Sequence, residues 1–599
     1  MNLPRRRMLG LSALGIGGAV AGCSARTQTV PGGPSVAGKS SPDGRPSPAA
    51  QTESTRSAQR PNVVLILADD MGFSDIGCYG SEISTPHLDR LAAGGIRMSQ
   101  FYNTARCSPS RASLLTGLHP QQTGVGVLNR RGQGGYPGTL NRKCLTLAEL
   151  LGDAGYATAM FGKWHLTADV DRPDASWPLG RGFDHHYGII GGASGYFRPG
   201  RLYQDNRHQP RPHDGYYLTT ELGRRAAGYV TRQTKNEPDR PFFLYLPFTA
   251  PHWPLHAPAE AVKRQAGRYR EGWDKLRERR FDRLVSSGIL SGRWQLSQRD
   301  TAVPAWGSKI RHPHWQQRRM EVYAAQVELM DAAIGKVVSA LRRSGQLDQT
   351  LIIFLSDNGG CAEELHPRTP QADEHHAGKI NNESTKRPVV RRGNNPSIMP
   401  GPSSTYSSYG RPWANVSNTP FREYKHWVHE GGISTPLIAH WPGRLPAGQI
   451  SHHPHQLTDV MSTVLDITGL SYPRRRAGHR LLPVEGYSMM NSWLDRRETD
   501  NGRYLYWEHE GNCAVRRGKW KLVRKYGKPW ELYDLDADRT ELHDLAHTHQ
   551  HLVQQLAKAY HAWAHRCGVH PWIPRNGAKS GGIAVLHRDG GSATRTGRS

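Results

Sequence analysis

Cysteine and acidic residues are both scarce in this chain of 599 residues, and each shortage excludes something. Seven cysteines are too few for a disulfide scaffold and, being odd in number, leave at least one thiol unpaired. Asp and Glu number 51 against 78 Lys and Arg, a formal charge of 78 − 51 = +27. That excess fits an anionic partner, whether nucleic acid, a membrane surface or an acidic substrate. Hydrophobic residues make up 37% of the chain, enough to bury a large core, so neither a wholly disordered chain nor a coiled coil is expected. The length fits one large domain with an accessory one, or several small ones.

Residues 1–23 read as an export signal: Arg5, Arg6 and Arg7, the apolar run Met8 to Val20, then Ala21-Gly22-Cys23. The run is too short for a permanent membrane helix, which needs roughly 20 apolar residues. The arginines resemble a twin-arginine signal and Val20-Ala21-Gly22-Cys23 a bacterial lipobox, in which Cys23 is acylated and becomes the first residue. An ordinary cleaved secretory peptide is the bland alternative. Residues 24–60 contain no Leu, Ile, Met, Phe, Tyr or Trp. Such a segment cannot offset its ordering entropy by burial, so a disordered Ser/Pro/Gly-rich tether is expected, spanning on the order of 35 Å. These features predict an exported protein, in the periplasm or at the cell surface, anchored in the membrane through lipid on Cys23. Residues 576–599, rich in Gly, Ser and Arg, are expected to form a disordered tail.

Between these ends, four short apolar runs finish in polar or ionisable residues. Asn62 to Ala68 ends in Asp69-Asp70, and Ala157 to Phe161 leads into Gly162-Lys163-Trp164-His165. Phe242 to Phe248 leads into Pro251-His252, and Leu351 to Leu355 ends in Ser356-Asp357-Asn358. Continuous runs of this kind mark strands buried on both faces. Helical periodicity lies between them, most clearly at Tyr323, Val327, Met330, Ile334, Val337 and Leu341 before Gly345. Alternating strands and helices predict an α/β fold, with a large mixed, mostly parallel sheet between helices over residues 61–469. Ligands of such sheets bind beyond the carboxyl ends of the strands, where these polar residues fall. From 470 to 575, short runs such as Tyr504 to Trp507, Trp520 to Val523 and Glu531 to Leu535 predict a smaller α+β subdomain on a short antiparallel sheet, closed by a helix over His551 to Trp563. Residues 361–411 lack apolar periodicity and are expected to form a long loop insertion at the rim of the site.

Cys107 opens the segment Cys-Ser-Pro-Ser-Arg-Ala-Ser-Leu-Leu-Thr-Gly. Ser108 is suited to cap a helix, Pro109 to a first turn and Gly117 to a helix end, which places Cys107 just before a helix N-terminus. There the dipole favours an anion or a thiolate. A buried, inert cysteine is the commoner fate of a lone thiol, but the flanking Arg106 and Arg111 argue for a functional position. Asp69, Asp70, Asp357 and Asn358 supply three carboxylates and an amide, a hard oxygen set that suits Ca²⁺ or Mg²⁺ and not zinc. Taken alone, the Asp69-Asp70 pair reads more readily as a solvated turn or helix cap, and Asp357-Asn358 as a β-turn; following two buried strands, they become candidate ligands.

Cys107-Ser108-Pro109-Ser110-Arg111 with Leu114-Leu115-Thr116-Gly117 resembles the signature of the type I, formylglycine-dependent sulfatases of the alkaline phosphatase superfamily. Asn62 to Asp70, Gly162 to His165, Gly182-Phe183-Asp184, the His252 segment, Ser356 to Gly360 and Glu430-Gly431-Gly432 match in family order, and Trp413 to Pro442 looks closest to bacterial arylsulfatases. The resemblance implies a sulfuric ester hydrolase that cleaves a sulfate monoester, an aryl sulfate or a sulfated glycan, to an alcohol or phenol and inorganic sulfate. It implies that a maturation enzyme oxidises Cys107 to formylglycine (3-oxoalanine), and that residue 107 joins Asp69, Asp70, Asp357 and Asn358 around Ca²⁺, with Mg²⁺ as the alternative. Arg111 would reach back to the aldehyde hydrate, Lys163 and Lys425 would bind sulfate, His165 would bond the hydrate, and His252 would contact sulfate and protonate the leaving alcohol. In the implied mechanism one hydrate hydroxyl attacks sulfur in line, and the other then expels sulfate by elimination. Rival readings are a phosphonate or phosphate ester hydrolase of the same superfamily, a non-catalytic tethered binder of sulfated polysaccharide, and a cysteine-thiolate hydrolase. No recognition motif accompanies the positive charge, so nucleic acid is not expected as a partner. Trp253, Trp413 and Trp427 are candidates to stack on a substrate ring.

Overall fold

The computed structural model describes residues 60–210, 212–367, 390–495 and 502–574. The export signal, Cys23, the tether up to residue 59, residues 368–389 of the insertion and the tail lie outside these. Arg60, assigned above to the tether, belongs to the body: its guanidinium donates to the Ala154 carbonyl at 3.1 Å.

Eleven strands form the central sheet. Its middle runs Thr350–Ser356, Asn62–Asp69, Phe242–Pro251, Ala157–Lys163, His185–Ile189, every neighbour parallel. Ser434–His440 pairs antiparallel with both Thr350–Ser356 and Ile96–Tyr102, which makes the sheet mixed. All eight residues of Asn62–Asp69 are buried, and alternate side chains enter opposite cores. Val64, Ile66 and Ala68 face one core with the helices Leu218–Asn236 and Pro313–Arg343. Val63, Leu65 and Leu67 face the other, with Cys107–Thr116, Leu147–Asp153 and Thr458–Thr468. Burial on both sides explains why these strands lack polar alternation.

The strands run past the apolar segments that announce them, to Asp69, Lys163, Pro251 and Ser356. Strand pairing thus continues into the polar residues and fixes their backbones. The long helix begins at Pro313, ten residues before the apolar periodicity starts.

After residue 469, the strands Tyr504–His509, Asn512–Arg517, Trp520–Arg524 and Glu531–Asp534 form an antiparallel sheet. One face packs the Gln550–Cys567 helix through Val515, Leu522, Leu556, Tyr560 and Trp563. The other face presents Trp507, Ala514, Val523 and Tyr533 to Tyr102, Ala105, Val428 and Ile433. This second sheet therefore supports the chain just before Cys107 and just after Lys425. A buried ion network reinforces the contact, with Lys521 Nζ 2.9 Å from Glu430 and 2.8 Å from Glu541.

Candidate active site

Four strand ends and one helix start meet at a buried polar centre. Asp69 closes its strand, and Asp70 follows in the left-handed region at φ 65°. That turn aims its amide at Asp357 Oδ1, 3.1 Å away. Asn358 Nδ2 donates to Asp70 Oδ1 at 2.7 Å. Lys163 Nζ lies 2.7 Å from Asp69 Oδ2, and Lys425 Nζ 2.8 Å from Asp70 Oδ2. The Arg111 guanidinium donates twice to Asp357 Oδ2, at 3.0 and 2.8 Å, and once to the Lys163 carbonyl at 2.8 Å. His252 Nε2 stands 3.2 Å from Asp70 Oδ2.

Glycines permit this convergence. A Cβ on Gly162 would lie 1.8 Å from the Pro247 carbonyl oxygen, so the strand carrying Lys163 approaches its neighbour only without a side chain. A Cβ on Gly432 would lie 1.9 Å from the Trp427 carbonyl oxygen, which accounts for a glycine where the chain folds back beside Lys425.

Cys107 is the first residue inside the helix Cys107–Thr116, not the residue before it. Arg106 is the N-cap residue, in extended conformation, and no side chain caps the helix; Ser108 does not serve that role. Every residue of the helix is buried, Arg111 included. The flanking arginines therefore do not distinguish an exposed, reactive cysteine from a core one; what distinguishes Cys107 is its place among charges. Arg106, Arg111 and Lys425 all lie within electrostatic reach of its thiol. Arg111 does not reach back along its own helix but crosses to Asp357.

The electrostatics follow from burial and opposed charges. Burial, then the neighbouring Asp69 carboxylate, pushes the Asp357 carboxyl up to about 6 despite Arg111. Burial alone would also raise Asp70, but His252, Lys425 and the Asn358 amide hold it well below the ordinary range. Burial would neutralise Lys425, yet Asp70, with Cys361 and Glu363, pushes its pKa up and keeps it charged. Burial drives both histidines down: His165 further lowered by Lys163, Arg111 and Lys425, and His252 to about 4. Nδ1 of His252 is 2.6 Å from the Trp253 carbonyl, so the neutral ring carries its proton there and Nε2 is an acceptor facing Lys425 Nζ at 3.5 Å. The expected proton donation by His252 therefore requires a proton that this tautomer does not hold at Nε2.

Two oxygens in this centre are buried without a hydrogen-bond partner, Asp69 Oδ1 and Asn358 Oδ1. Asp69, Asp70 and His252 each offer a ligand atom within 4.8 Å of the others. Orphaned oxygens among clustered carboxylates are what a bound hard cation would satisfy.

Glu363 escaped sequence reasoning. It lies in the aperiodic insertion, yet its side chain is only 8% exposed and accepts from Arg106 Nη1 at 3.0 Å and Trp253 Nε1 at 3.0 Å. Burial would raise its carboxyl, but Lys425 and Arg106 lower it to about 2. The described parts of the insertion, 361–367 and 390–411, are held by a short parallel pair, Arg391–Arg392 with Thr405–Tyr406, and by bonds such as Asn394 N to the Leu365 carbonyl. Trp413 packs in the core against Trp273 and Trp306 and is not available to a substrate. The cysteines at 78, 107, 144, 361, 513 and 567 are all free.

A family model described as Sulfatase matches residues 61–470, and one described as N-sulphoglucosamine sulphohydrolase, C-terminal, matches residues 422–565. An uncharacterized sulfatase of Schizosaccharomyces pombe is 33% identical over 559 residues, 86% of this chain and 95% of its own length. An arylsulfatase of Klebsiella aerogenes is 33% identical over 448 residues, 72% of this chain and 91% of its own. Among solved structures, Ps i-CgsB in complex with k-i-k-neocarrahexaose is similar with a TM-score of 0.59 at 25% identity, covering 86% of this chain and 96% of that one. The phosphonate monoester hydrolase of Agrobacterium radiobacter shares the fold at a TM-score of 0.51 and 19% identity, covering 85% of this chain and 96% of its own. Since the first family model takes in every strand end that contributes to the polar centre, the chain belongs to the sulfatase family of the alkaline phosphatase superfamily and is a sulfuric ester hydrolase.

Proposed function

We propose that the enzyme hydrolyses its sulfate monoester through a formylglycine made from Cys107, with Ca²⁺ held by Asp69, Asp70, Asp357 and Asn358. The observation that carries this reading is the pair of buried, unpartnered oxygens, Asp69 Oδ1 and Asn358 Oδ1, within a cluster of three carboxylates. The donor set is oxygen-rich, which favours an alkaline-earth ion over zinc. Charge supports the same reading. Asp69, Asp70 and Asp357 face Lys163, Lys425 and Arg111, so the centre is balanced by itself. A dication arriving with one sulfate ester anion and one ionised hydroxyl preserves that balance.

When bound, the cation supplies Lewis-acid polarisation of the sulfate. A formylglycine at residue 107 would, as its hydrate, offer one hydroxyl as nucleophile and a second from which sulfate could be released without water attack on sulfur. This chain's own side chains do the rest. Lys163 and Lys425 transfer their ammonium donors from Asp69 and Asp70 to sulfate oxygens, where they stabilise charge that grows in the transition state. Arg111 fixes the Asp357 carboxylate with a two-pronged bond, which a lysine cannot reproduce. His165, buried and neutral with Nδ1 unpartnered, is suited to exchange a proton with the hydroxyl at residue 107. His252 presents Nε2 to Lys425 and orients that ammonium toward the leaving oxygen.

The substrate is a sulfate ester, aryl or carbohydrate. Ps i-CgsB, 25% identical, was solved in complex with k-i-k-neocarrahexaose, which is compatible with a sugar leaving group here. Export, lipid attachment at Cys23 and maturation by a formylglycine-generating enzyme belong to the same proposal, and rest on the N-terminal sequence and the Cys107 motif. The test is sulfate release from a panel of sulfate and phosphate esters by wild type and Cys107→Ala, each with Ca²⁺, with Mg²⁺ and after chelation. Sulfate turnover that needs Cys107 and Ca²⁺ and exceeds phosphate turnover is expected. Preference for phosphate esters, or full activity of the alanine variant, would overturn it.

A further inference from the structure

One carboxylate beside the active site has no part in the chemistry above. Glu363 comes a few residues after Asp357 and Asn358 and joins two segments that are distant from it in sequence. Its Oε1 accepts from Arg106 Nη1 at 3.0 Å and its Oε2 from Trp253 Nε1 at 3.0 Å. Each donor is the immediate neighbour of a residue with an assigned task, Arg106 of Cys107 and Trp253 of His252. One side chain therefore ties the start of the Cys107–Thr116 helix to the chain just beyond the Phe242–Pro251 strand.

The hold on Trp253 passes to His252. Its Nδ1 donates to the Trp253 carbonyl at 2.6 Å, and its ring packs on the indole with centroids 4.4 Å apart. The His252 backbone is fixed separately: its amide donates to the Thr249 carbonyl at 3.0 Å, and the Tyr196 hydroxyl donates to its carbonyl at 2.8 Å. What the backbone leaves free is the ring, and the indole is the surface on which it rests. The indole in turn touches the Tyr406 ring, with centroids 5.8 Å apart, and is held at its nitrogen by Glu363. Glu363 is placed by its own backbone, whose carbonyl accepts from Ser408 Oγ, and two residues earlier the Cys361 amide donates to the Tyr409 hydroxyl at 3.2 Å. Side chains locked by such supporting bonds are what keep a reacting group in its productive geometry.

An ordinary ion pair with Arg106 is the simpler account of this carboxylate. The bond to Trp253 argues against it. A carboxylate that served the guanidinium alone would offer it both oxygens in a two-pronged bond. Here Nη1 alone is engaged, Arg106 Nε is buried without a partner, and the second oxygen goes to the indole. The arrangement forgoes the stronger pairing and gains a bridge.

We propose that Glu363 is a positioning residue for sulfate ester hydrolysis: by bridging Arg106 and Trp253 it fixes the His252 ring relative to the start of the Cys107 helix. The insertion that carries it is thereby part of the working site and not only its rim. This rests on the sulfatase reading of the adjacent centre. The bridge needs two acceptors. An ionised carboxylate accepts on both oxygens, whereas a glutamine amide offers one oxygen and a donor nitrogen. In Glu363→Gln the guanidinium keeps the oxygen, because a charge-assisted bond is the stronger one, and the amide nitrogen then faces Trp253 Nε1, donor against donor. The indole must move, and the His252 ring with it. A displacement of about 1 Å in such a group costs on the order of 10²-fold.

The experiment measures kcat, KM and melting temperature for wild type, Glu363→Gln, Glu363→Asp, Trp253→Phe and the Glu363→Gln/Trp253→Phe double variant, on 4-nitrophenyl sulfate or whichever sulfate ester wild type turns over. Glu363→Gln is expected to lower kcat by about 10² without raising KM, since the change removes a negative charge from the surroundings of Lys425 and Arg106. Trp253→Phe and Glu363→Asp each lose one bond without creating a clash, and should lower kcat by about tenfold. Phenylalanine has no N–H to oppose the amide, so the double variant should recover to the level of Trp253→Phe alone. Losses that multiply to about 10³ in the double variant, a kcat of Glu363→Gln within about threefold of wild type, or a raised KM with unchanged kcat would each overturn the positioning role and leave Glu363 as a structural ion pair. If Glu363→Gln melts below the assay temperature, Glu363→Asp decides: a tenfold loss of kcat in the folded enzyme supports the role and full kcat overturns it. Failure of wild type on every sulfate ester would instead strike the underlying sulfatase reading.

Discussion

Gly192 offers a way to disturb one histidine while leaving its chemistry in the protein. A Cβ built on this glycine would stand 2.5 Å from His165 Nε2 and 2.7 Å from Cε1. Ordinary carbon–nitrogen contact requires about 3.5 Å, so the overlap is about 1 Å. Neither partner can slide away cheaply. Trp164 N and His165 N donate to the Ile189 and Ile190 carbonyls at 2.9 and 3.0 Å, tying the two segments together, and His165 sits at φ 61°. Gly192 itself is not in the left-handed region, so alanine suits its backbone and should leave global stability within about 1 kcal/mol. The ring of His165 must therefore turn by about 1 Å, and a displacement of that size in a catalytic group costs on the order of 10²-fold. Gly192→Ala is expected to lower kcat on an aryl sulfate by about 10², with an unchanged melting temperature. His165→Ala should be impaired to a similar extent, and the double variant no worse than either, because both changes remove the same group. A Gly192→Ala enzyme with full kcat would refute the placement of His165 as a working part of the site.

Arg111→Lys keeps the charge but loses the two-pronged bond to Asp357; it should fold and lose at least about 10² in kcat/KM, whereas Arg111→Met, which strands a buried carboxylate, should also lose about 3–5 kcal/mol of stability. Urea denaturation and initial rates separate the two effects. Cys107→Ser, with a single hydroxyl, should stop after one event as a stable sulfated enzyme, visible by intact mass; sustained wild-type turnover by that variant contradicts elimination from a hydrate. Glu508 is buried with only Gln121 Nε2 and Gly511 N to support its charge, and burial raises its carboxyl to about 7. Its folded pKa lies above the unfolded one, so the folded state binds the extra proton between about pH 4.5 and 7, and stability falls as pH rises through that window by on the order of 3 kcal/mol. Glu508→Gln should flatten that part of the stability–pH curve; an unchanged slope would show that the carboxyl is not shifted.

The strands of the central sheet were legible because burial on both faces leaves an unbroken apolar run, and the polar residues after each run were legible as strand ends. What joins those ends was not. The Arg111–Asp357 pair spans 246 residues, and nothing in the sequence around Arg111 distinguishes a reach along its helix from a reach across the sheet. The first ten residues of the Pro313–Arg343 helix were invisible for a different reason. Arg319 there is buried, bonded to the Ser408 carbonyl at 2.8 Å and stacked on Trp315 at 4.5 Å, so a polar residue occupies a core position and masks the periodicity. Glu363 lies in a segment organised by side-chain bonds, which leave no periodic trace. Burial also decides against function in one place. Ser492 Oγ is 2.6 Å from His455 Nε2 and His455 Nδ1 2.9 Å from Asp459, the order of a hydrolase triad. All three are buried and Asp459 is neutralised by Arg503, so the array braces the start of the Thr458–Thr468 helix and is out of reach of any substrate.

The central claim is that residue 107 works as an aldehyde and not as a thiol. Its most direct test is the mass of the peptide containing Cys107 to Arg111, isolated from enzyme that is actively releasing sulfate. The account predicts a peptide that has lost sulfur and two hydrogens and gained one oxygen, and that gains a hydrazone on treatment with a hydrazine. An intact thiol at residue 107 in fully active enzyme would contradict it.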